Sequence, residues 1–243
     1  LENVKFVSPE TKLNDMYKDK INIITQFYKP SNPLRLEELK ENLKLLNINK
    51  YVDNIYLLNE KKMSKDDLGI ESNKIIQINI RERLSYSKCF NFIEEQDIKG
   101  YIVICNCDIF LDSNLLNITK CNLHNSKKIF CLLRYEYNKK LSLKDCSLFG
   151  PRGDSQDTWI FHSNYNIEKK YRSLFDFNFG IPGCDNKIIY LLTILGYACY
   201  NEPQLIKCYH YHTSNYRNYQ KNLTVPPPYC SIYPNLNSLN LNK

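Results

Sequence analysis

The chain has 243 residues, of which 43% are hydrophobic, and its formal net charge is +7. This length suits one large domain or two small ones with a substantial core. No apolar run approaches the roughly 18 residues of a membrane span, so we expect a soluble protein with no membrane span in this piece. The sequence begins with Leu1 rather than Met, so we expect it to be a domain of a longer chain.

The ten cysteines bear on the compartment in which the protein works. None belongs to a CxxC pair, and the nearest two, Cys105 and Cys107, lie two residues apart in one oily run. Cysteine at strand positions behaves as a small hydrophobic residue. We therefore expect free thiols in a reducing compartment, the cytoplasm, rather than a disulfide framework.

The first half of the chain alternates between strand and helix patterns after a polar lead-in at 1–20. The predicted strands are 21–28, 52–60, 74–80 and 101–110. Two segments, 34–47 and 85–96, have the pattern of helices. This alternation predicts an α/β fold, a mostly parallel central sheet flanked by helices, with ligands bound at the carboxyl ends of the strands.

The second half is less regular. Its predicted elements are a strand at 128–137, a loop leading into a strand at 147–162, a Gly/Pro loop at 177–186, a helix within 187–200 that Gly196 closes, and a strand at 205–214. The Pro-rich run "VPPPYCSIYP" suits neither a helix nor a central strand. We therefore predict a main domain at 21–223 and a C-terminal tail at 224–243 that covers its surface.

Two short motifs offer ligands for a metal ion. The oily run at 101–110 contains Asn106 and Asp108, and alternate residues of a strand point the same way, so both side chains could bind a hard divalent cation. His210 and His212 have the same spacing and could join a carboxylate around Mn²⁺ or a related ion. Taken singly, each motif more often has a structural role, as a helix cap or as hydrogen-bonded histidines.

Five further side chains could contact a substrate. Asp185 follows a Gly-rich loop at a predicted helix start, where it could be a general base or a plain N-cap. Asp157 and Trp159 could line a sugar pocket, although a core position for the only Trp is as consistent. Arg83 and Arg134 follow or end strands, and each could pair with phosphate or form a surface salt bridge.

The order of these motifs is more specific than any one of them. It resembles the GT-A-fold glycosyltransferases, in particular small nucleotide-sugar transferases related to the family-2-like inverting enzymes. The resemblance extends from about Ile21 to Pro228, and its most specific parts are "SQDTWIF", "GIPGCDN" and "IKCYHYHTSNYRNY".

The resemblance implies a role for each of these motifs. Asp108 would be the main carboxylate ligand of Mn²⁺ or Mg²⁺, with His210 and His212 beside it. Asn106 stands where such enzymes carry the first acid of an Asp-x-Asp motif, a departure that weakens the metal site. Asp185 would be the catalytic base. The acceptor or sugar pocket would contain Asp157 and Trp159, and the nucleotide-sugar would meet Thr25, Gln26, Arg83 and Arg134.

The resulting expectation is a metal-dependent glycosyltransferase that moves a sugar from a UDP- or GDP-sugar to a hydroxyl of a glycan or other acceptor, with inversion. A nucleotidyltransferase would normally carry a Gly-rich loop after the first strand, and "TQFYKPSNPLR" has no Gly. A basic nucleic-acid-binding module is a further alternative, but Tyr and Lys do not cluster, so we expect no nucleic-acid partner. Asn106 also leaves open an inactive, sugar-nucleotide-binding relative.

Overall fold

The computed structural model describes residues 19–214, 216 and 223–237. Most of the predicted lead-in at 1–20, and the end of the predicted tail at 238–243, therefore lie outside the described residues. The described ranges contain four α-helices: α1 (Pro33–Ile48), α2 (Lys65–Leu68), α3 (Tyr86–Glu95) and α4 (Cys184–Ile194). The 3₁₀ segments are Ser113–Lys120, Leu123–Asn125, Leu143–Asp145, Ser163–Tyr165 and Lys169–Phe175.

Eleven strands form two sheets within the described residues. They are β1 (Ile21–Thr25), β2 (Asn54–Asn59), β3 (Ile75–Asn79), β4 (Tyr101–Cys105), β5 (Ile109–Leu111), β6 (Lys128–Leu132), β7 (Tyr135–Glu136), β8 (Ser147–Leu148), β9 (Thr158–His162), β10 (Ala198–Tyr200) and β11 (Cys208–His210). The large sheet has seven strands in the order β10-β6-β9-β4-β1-β2-β3, and the small sheet has four in the order β5-β11-β7-β8.

The large sheet confirms the predicted α/β fold. Its strands are parallel except at β9, which runs antiparallel to both β4 and β6. Helices and the small sheet cover both faces, so neighbouring residues of one strand enter opposite cores. Ile23 packs in the core that includes Leu39 of α1, whereas Ile24 packs in the core that includes Phe90 of α3. Burial on both faces explains why these strands are largely apolar.

Two predicted strands are each divided between the two sheets. The run at 101–110 ends its first strand at Cys105, turns through Asn106–Asp108, and re-enters as β5 of the small sheet. The run at 128–137 is likewise split into β6 and β7. An apolar run reports burial rather than direction, so the chain can change sheets within it without any change in composition.

The helix predicted from residue 187 and closed by Gly196 begins three residues earlier than predicted. It begins at Cys184 and ends at Ile194, because Gly196 adopts a left-handed backbone with φ of 80° that suits a glycine after a helix. The residues Ala198–Tyr200 then form edge strand β10 beside β6.

Residues 223–237 contain no helix or strand and run along the loop that precedes α4. The backbone N–H of Val225 donates to Pro182 O at 2.9 Å, and that of Cys230 donates to Asn186 O at 3.1 Å. Gly183 has a φ of 86°, and an added Cβ would lie 2.9 Å from the Tyr229 hydroxyl. Glycine is therefore required here both by conformation and by the close approach of this segment.

All ten cysteines lie within the residues that the structure describes, and all ten are free thiols. Within the residues that the structure describes, every helix is too short or too polar to cross a lipid bilayer.

Candidate functional site

A cleft of about 610 Å³ opens beside the carboxyl ends of β1 and β4. Its walls come from both sheets and from α1. The lining includes Arg35 and eight of the predicted site residues, which are Gln26, Arg83, Asn106, Asp108, Arg134, Asp157, His210 and His212. Sheets of this kind bind ligands at this edge, so the position agrees with the expectation from the strand order.

The register of the small sheet brings Asp108 to the two histidines. Ile109 of β5 pairs with His210 of β11, and the Tyr211 N–H donates to Asp108 O at 3.0 Å. His210 Nε2 consequently lies 3.3 Å from Asp108 Oδ2, and His212 Nδ1 lies 4.0 Å from it. One ligand atom from each of the three residues lies within 4.8 Å of the others, so the predicted cluster is assembled.

Glu136 orients one of these histidines. It pairs with His210 in the parallel register of β7 and β11, and its Oε2 lies 3.0 Å from His210 Nδ1. A carboxylate at Nδ1 fixes the ring so that Nε2 faces Asp108. Glu136 was not among the predicted site residues, although it lies two residues after Arg134 in "RYE", a spacing that places both on one side of an extended segment.

Arg35 and Glu38 of α1 are also parts of the site that the sequence analysis missed. Asn32 caps the helix by accepting from the Arg35 N–H at 3.0 Å, which fixes Arg35 in the first turn. Arg35 NH2 donates to Asp108 Oδ2 at 2.5 Å and NH1 donates to Glu38 Oε2 at 3.1 Å. The available signal was the spacing of Arg35, Glu38 and Asn42, which repeats on one helical face.

Mutual charges set the ionisation of this cluster. Burial alone would raise the pKa of Asp108, but His210 and Arg35 hold it well below its ordinary value. Burial would lower the pKa of His210, but Asp108 and Glu136 outweigh it and raise the pKa to about 9. His210 is therefore an imidazolium at neutral pH when no cation replaces its proton, and a metal ion must displace that proton.

A second group of charges surrounds Asp157. The Asp157 N–H donates to Leu132 O, and its carbonyl accepts from the Asn106 N–H, which places the residue between the ends of β6 and β4. Its carboxylate accepts from Asn106 Nδ2 and from Arg134 NH1, both at 2.8 Å. Asn106 is thus bound to Asp157, which differs from its predicted place as a ligand beside Asp108.

Arg134 joins the two groups of charges. Its NH1 bonds Asp157, and its Nε donates to Glu136 Oε1 at 2.8 Å. Since Glu136 also bonds His210, a continuous chain of hydrogen bonds connects the Asp157 carboxylate with the cluster of Asp108, His210 and His212. This predicted phosphate partner is therefore already paired, as well as lining the cleft.

Asp185 lies at the first turn of α4 and is partly buried. Burial raises the pKa of its carboxyl above the ordinary value, and the nearby negative charge of Asp157 raises it further. Asp185 is not among the described residues that line the cleft, and the Cys184 thiol donates to its Oδ1 at 3.2 Å. It therefore lies close to Asp157 but outside the lining of the cleft.

The predicted nucleotide contacts differ in accessibility. Gln26 lines the cleft, accepts weakly from the Leu84 N–H at 3.4 Å, and has a buried Nε2 with no partner among the described residues. Arg83 is exposed at the rim and donates to Phe179 O at 2.6 Å. Thr25 is buried inside β1 and does not line the cleft, so its predicted contact with a nucleotide is corrected.

The predicted role of Trp159 also needs correction. Its side chain is completely buried in β9, where Tyr86 packs edge-on with ring centroids 4.9 Å apart. A fully covered ring cannot stack on a sugar. The sequence could not separate the two roles, because a strand Trp beside an acid has the same pattern in a core and in a pocket wall.

Known proteins resemble this chain in structure but not in sequence. The sequence matches no protein-family model and no curated protein. The structure resembles the mannosyltransferase PcManGT from Pyrobaculum calidifontis in complex with GDP-Man and Mn²⁺, with 12% identity, a TM-score of 0.50, and coverage of 82% of this chain and 59% of that one. It also resembles GalNAc-T7 with UDP, GalNAc and Mn²⁺, with 10% identity, a TM-score of 0.51, and coverage of 82% and 45%.

A third structure, a cytidylyltransferase from Leptospira borgpetersenii serovar Hardjo-bovis, is 14% identical with a TM-score of 0.45 and covers 75% of both chains. This chain spans only about half the length of the two glycosyltransferases. At such low identities the likeness concerns the fold alone. The chain has the GT-A fold that its sequence predicts, a mostly parallel sheet flanked by helices.

Proposed function

We propose that this protein is a metal-dependent glycosyltransferase that moves a sugar from a nucleoside-diphosphate sugar to an acceptor hydroxyl. The observation that carries the proposal is the meeting of Asp108, His210 and His212 in a cleft at the carboxyl edge of a GT-A sheet. The two glycosyltransferases of similar fold were solved with Mn²⁺ and with nucleotides or sugar nucleotides, which supports the same ligand classes here.

The three side chains suit a divalent cation by their chemistry. One carboxylate and two imidazoles form a donor set that Mn²⁺ accepts, and the ligand atoms lie close enough together to share one ion. A divalent cation held there would offset the negative charge that develops on a leaving diphosphate. Glu136 would hold the His210 ring in place for that ligand role.

The donor would occupy the cleft between Gln26, Arg83 and the ligand cluster. The unpartnered Nε2 of Gln26 offers a hydrogen bond to a nucleotide, and exposed Arg83 offers positive charge at the rim. Arg134 would hold Asp157 in place from behind and add positive charge towards the phosphates. The donor would be a UDP- or GDP-sugar, and Asp157 would face the sugar or the acceptor.

Asp185 is the proposed general base. A carboxyl with a raised pKa is a stronger base than an ordinary one, and it can take the proton from an attacking hydroxyl once it is ionised. Because Asp185 lies outside the lining of the cleft, the role requires the acceptor to approach from the side of the loop before α4. A single displacement from that side would invert the anomeric configuration.

The C-terminal segment belongs to the same proposal as a cover for the acceptor side. It contacts Pro182, Gly183 and Asn186 around the start of α4, next to Asp185. We also propose that the protein, with its main unit at 21–223, works in the cytoplasm, because the ten free thiols of the chain fit a reducing compartment.

The test is a screen of UDP- and GDP-sugars by thermal shift, followed by assays of nucleotide release with and without Mn²⁺. We expect one nucleotide-sugar to raise the unfolding temperature and to release its nucleoside diphosphate only when Mn²⁺ is present. Incubation with nucleoside triphosphates and sugar phosphates is the matched comparison, since release of pyrophosphate would indicate a nucleotidyltransferase. Failure of every nucleotide-sugar to bind would contradict the proposal.

A further inference from the structure

Arg35 occupies the same carboxylate that a cation would need. Its NH2 donates to Asp108 Oδ2, the oxygen that also faces His210 and His212. The Arg35 side chain is 4% exposed and that of Asp108 is 14% exposed, so water screens their attraction little. Arg35 also lines the cleft, which places its positive charge beside the ligand cluster.

A permanent positive charge at this position opposes cation binding. A guanidinium keeps its proton at any working pH, so Arg35 cannot be neutralised. A cation bound to Asp108 must share the carboxylate with Arg35 and approach a like charge at short range. The cluster has one carboxylate ligand, because Asn106 supplies no second negative charge. We expect weak cation binding for as long as Arg35 remains on Asp108.

The surroundings of Arg35 allow it to exchange this partner for another. Glu38 accepts from the backbone N–H groups of Thr213 and Ser214 at 2.7 and 2.6 Å, and from both hydroxyls at 2.9 Å, so it stays satisfied without Arg35. Arg35 Nε is buried with no hydrogen-bond partner among the described residues. A phosphate offers a guanidinium paired oxygens in the geometry that it binds best.

We propose that Arg35 competes with the divalent cation for Asp108 and transfers to the donor's diphosphate when the donor binds, so that cation and donor bind cooperatively. The inference rests on the proposed function, because it requires both ligands in the cleft. Arg35 would thereby favour binding of the donor before the cation. The diphosphate draws Arg35 away from the Asp108 carboxylate, and the cation then uses that carboxylate.

The first test is a titration with Mn²⁺, without nucleotide, followed by the electron paramagnetic resonance signal of free Mn²⁺. We expect Arg35→Met to bind Mn²⁺ at least about tenfold more tightly than the unmodified protein, because an adjacent charge shifts carboxylate equilibria by at least that factor. Arg83→Met is the matched control: it removes the same charge from the same cleft, but Arg83 contacts Phe179 rather than Asp108. Its Mn²⁺ affinity should change by less than about threefold.

The second test measures UDP binding by calorimetry in the presence of a chelator, with GDP in place of UDP throughout if the unmodified protein binds GDP instead. Arg35→Met should bind UDP about tenfold more weakly, since a charge-assisted phosphate contact is lost. The factor by which UDP raises Mn²⁺ affinity should also be smaller in this variant than in the unmodified protein. Arg35→Gln, which retains a polar side chain, should change both affinities in the same directions and serves if the Met variant does not fold.

Unchanged or weaker Mn²⁺ binding by a folded Arg35 variant would overturn the inference, as would unchanged UDP binding. If the unmodified protein binds both ligands but the Arg35 variants behave like it, only the role of Arg35 is wrong. If the unmodified protein and the Arg35 variants bind neither Mn²⁺ nor either of UDP and GDP, both the inference and the proposed function are wrong.

Discussion

The two sheets differ in the length of their strands. In the large sheet, β1 and β4 each have five residues and all of them are buried, whereas each strand of the small sheet has only two or three residues. The large sheet buries apolar surface on both faces and supplies most of the core. The small sheet contributes fewer apolar side chains, but its strand ends deliver Asp108, Glu136 and His210 to one point.

This contrast between the two sheets separates the part of the molecule that provides stability from the part that provides the chemistry. Long buried strands fix the frame, and short strands carry charged groups whose burial is tolerated because each has a partner. Substitutions in the ligand cluster should therefore change activity more than stability, and substitutions in the large sheet should do the reverse.

Asp108→Asn should produce the largest loss. It removes the carboxylate ligand, and several kcal/mol of stabilisation of the leaving group should be lost, which corresponds to about 10³–10⁴-fold in rate. The measurement is donor turnover at saturating Mn²⁺. Asp112→Asn is the control, because Asp112 caps the following 3₁₀ segment outside the cleft, and it should keep most of the activity. Comparable losses in both variants would contradict the assignment.

Asp185→Asn tests whether the large-sheet side also contributes chemistry. We expect turnover to fall by about 10²–10³-fold, as for loss of a general base, while the dissociation constant of the donor stays the same. Asp154→Asn is the comparison, since this exposed carboxylate pairs with Arg152 in a neighbouring loop and should leave turnover unchanged. Normal turnover by Asp185→Asn would show that the base is another group.

The pH dependence of Mn²⁺ affinity should follow His210. Asp108 and Glu136 raise the pKa of His210 to about 9, so below that pH Mn²⁺ must displace a proton to use this ligand. Affinity should rise by up to about tenfold per pH unit between pH 7 and 9 and then level off. Calorimetric titration across this range, in buffers of different ionisation enthalpy, would report the released proton. Constant affinity from pH 7 to 9 would contradict the ligand role of His210.

Trp159→Phe should have the smallest effect on function. The ring is fully buried, and its Nε1 has no hydrogen-bond partner among the described residues, so the change removes packing and no polar contact. The free energy of unfolding should fall by about 2 kcal/mol, measured by urea titration. Donor affinity should change by less than about twofold. A large loss of donor affinity with unchanged stability would mean that Trp159 contacts the sugar after all.

The sequence predicts the large sheet better than the small one. The strands β1 to β4 alternate with helices and are oily along their length, so pattern alone locates each of them. The small sheet depends on the turn at Asn106–Asp108 and on strands of two or three residues, and neither leaves a periodic pattern in the sequence. The polar helix residues Arg35 and Glu38 look like a solvated face until the partner strands are known.

The candidate site could be predicted in part because His210 and His212 alternate along one extended segment and Asp108 follows the buried run of another. What the sequence could not supply was the pairing between elements: Asn106 with Asp157, and Arg35 with Asp108. Such contacts join residues that are 51 and 73 positions apart. They depend on sheet order rather than on local pattern.

The most direct test of the proposed cation site is pulsed electron paramagnetic resonance of Mn²⁺ bound to the unmodified protein. This method detects the nitrogen nuclei of coordinating imidazoles. Because His210 and His212 are both proposed ligands, the spectrum should show coupling to two ¹⁴N nuclei, and His212→Gln should reduce it to one. Mn²⁺ that binds without any ¹⁴N coupling would contradict a cation site formed by Asp108, His210 and His212.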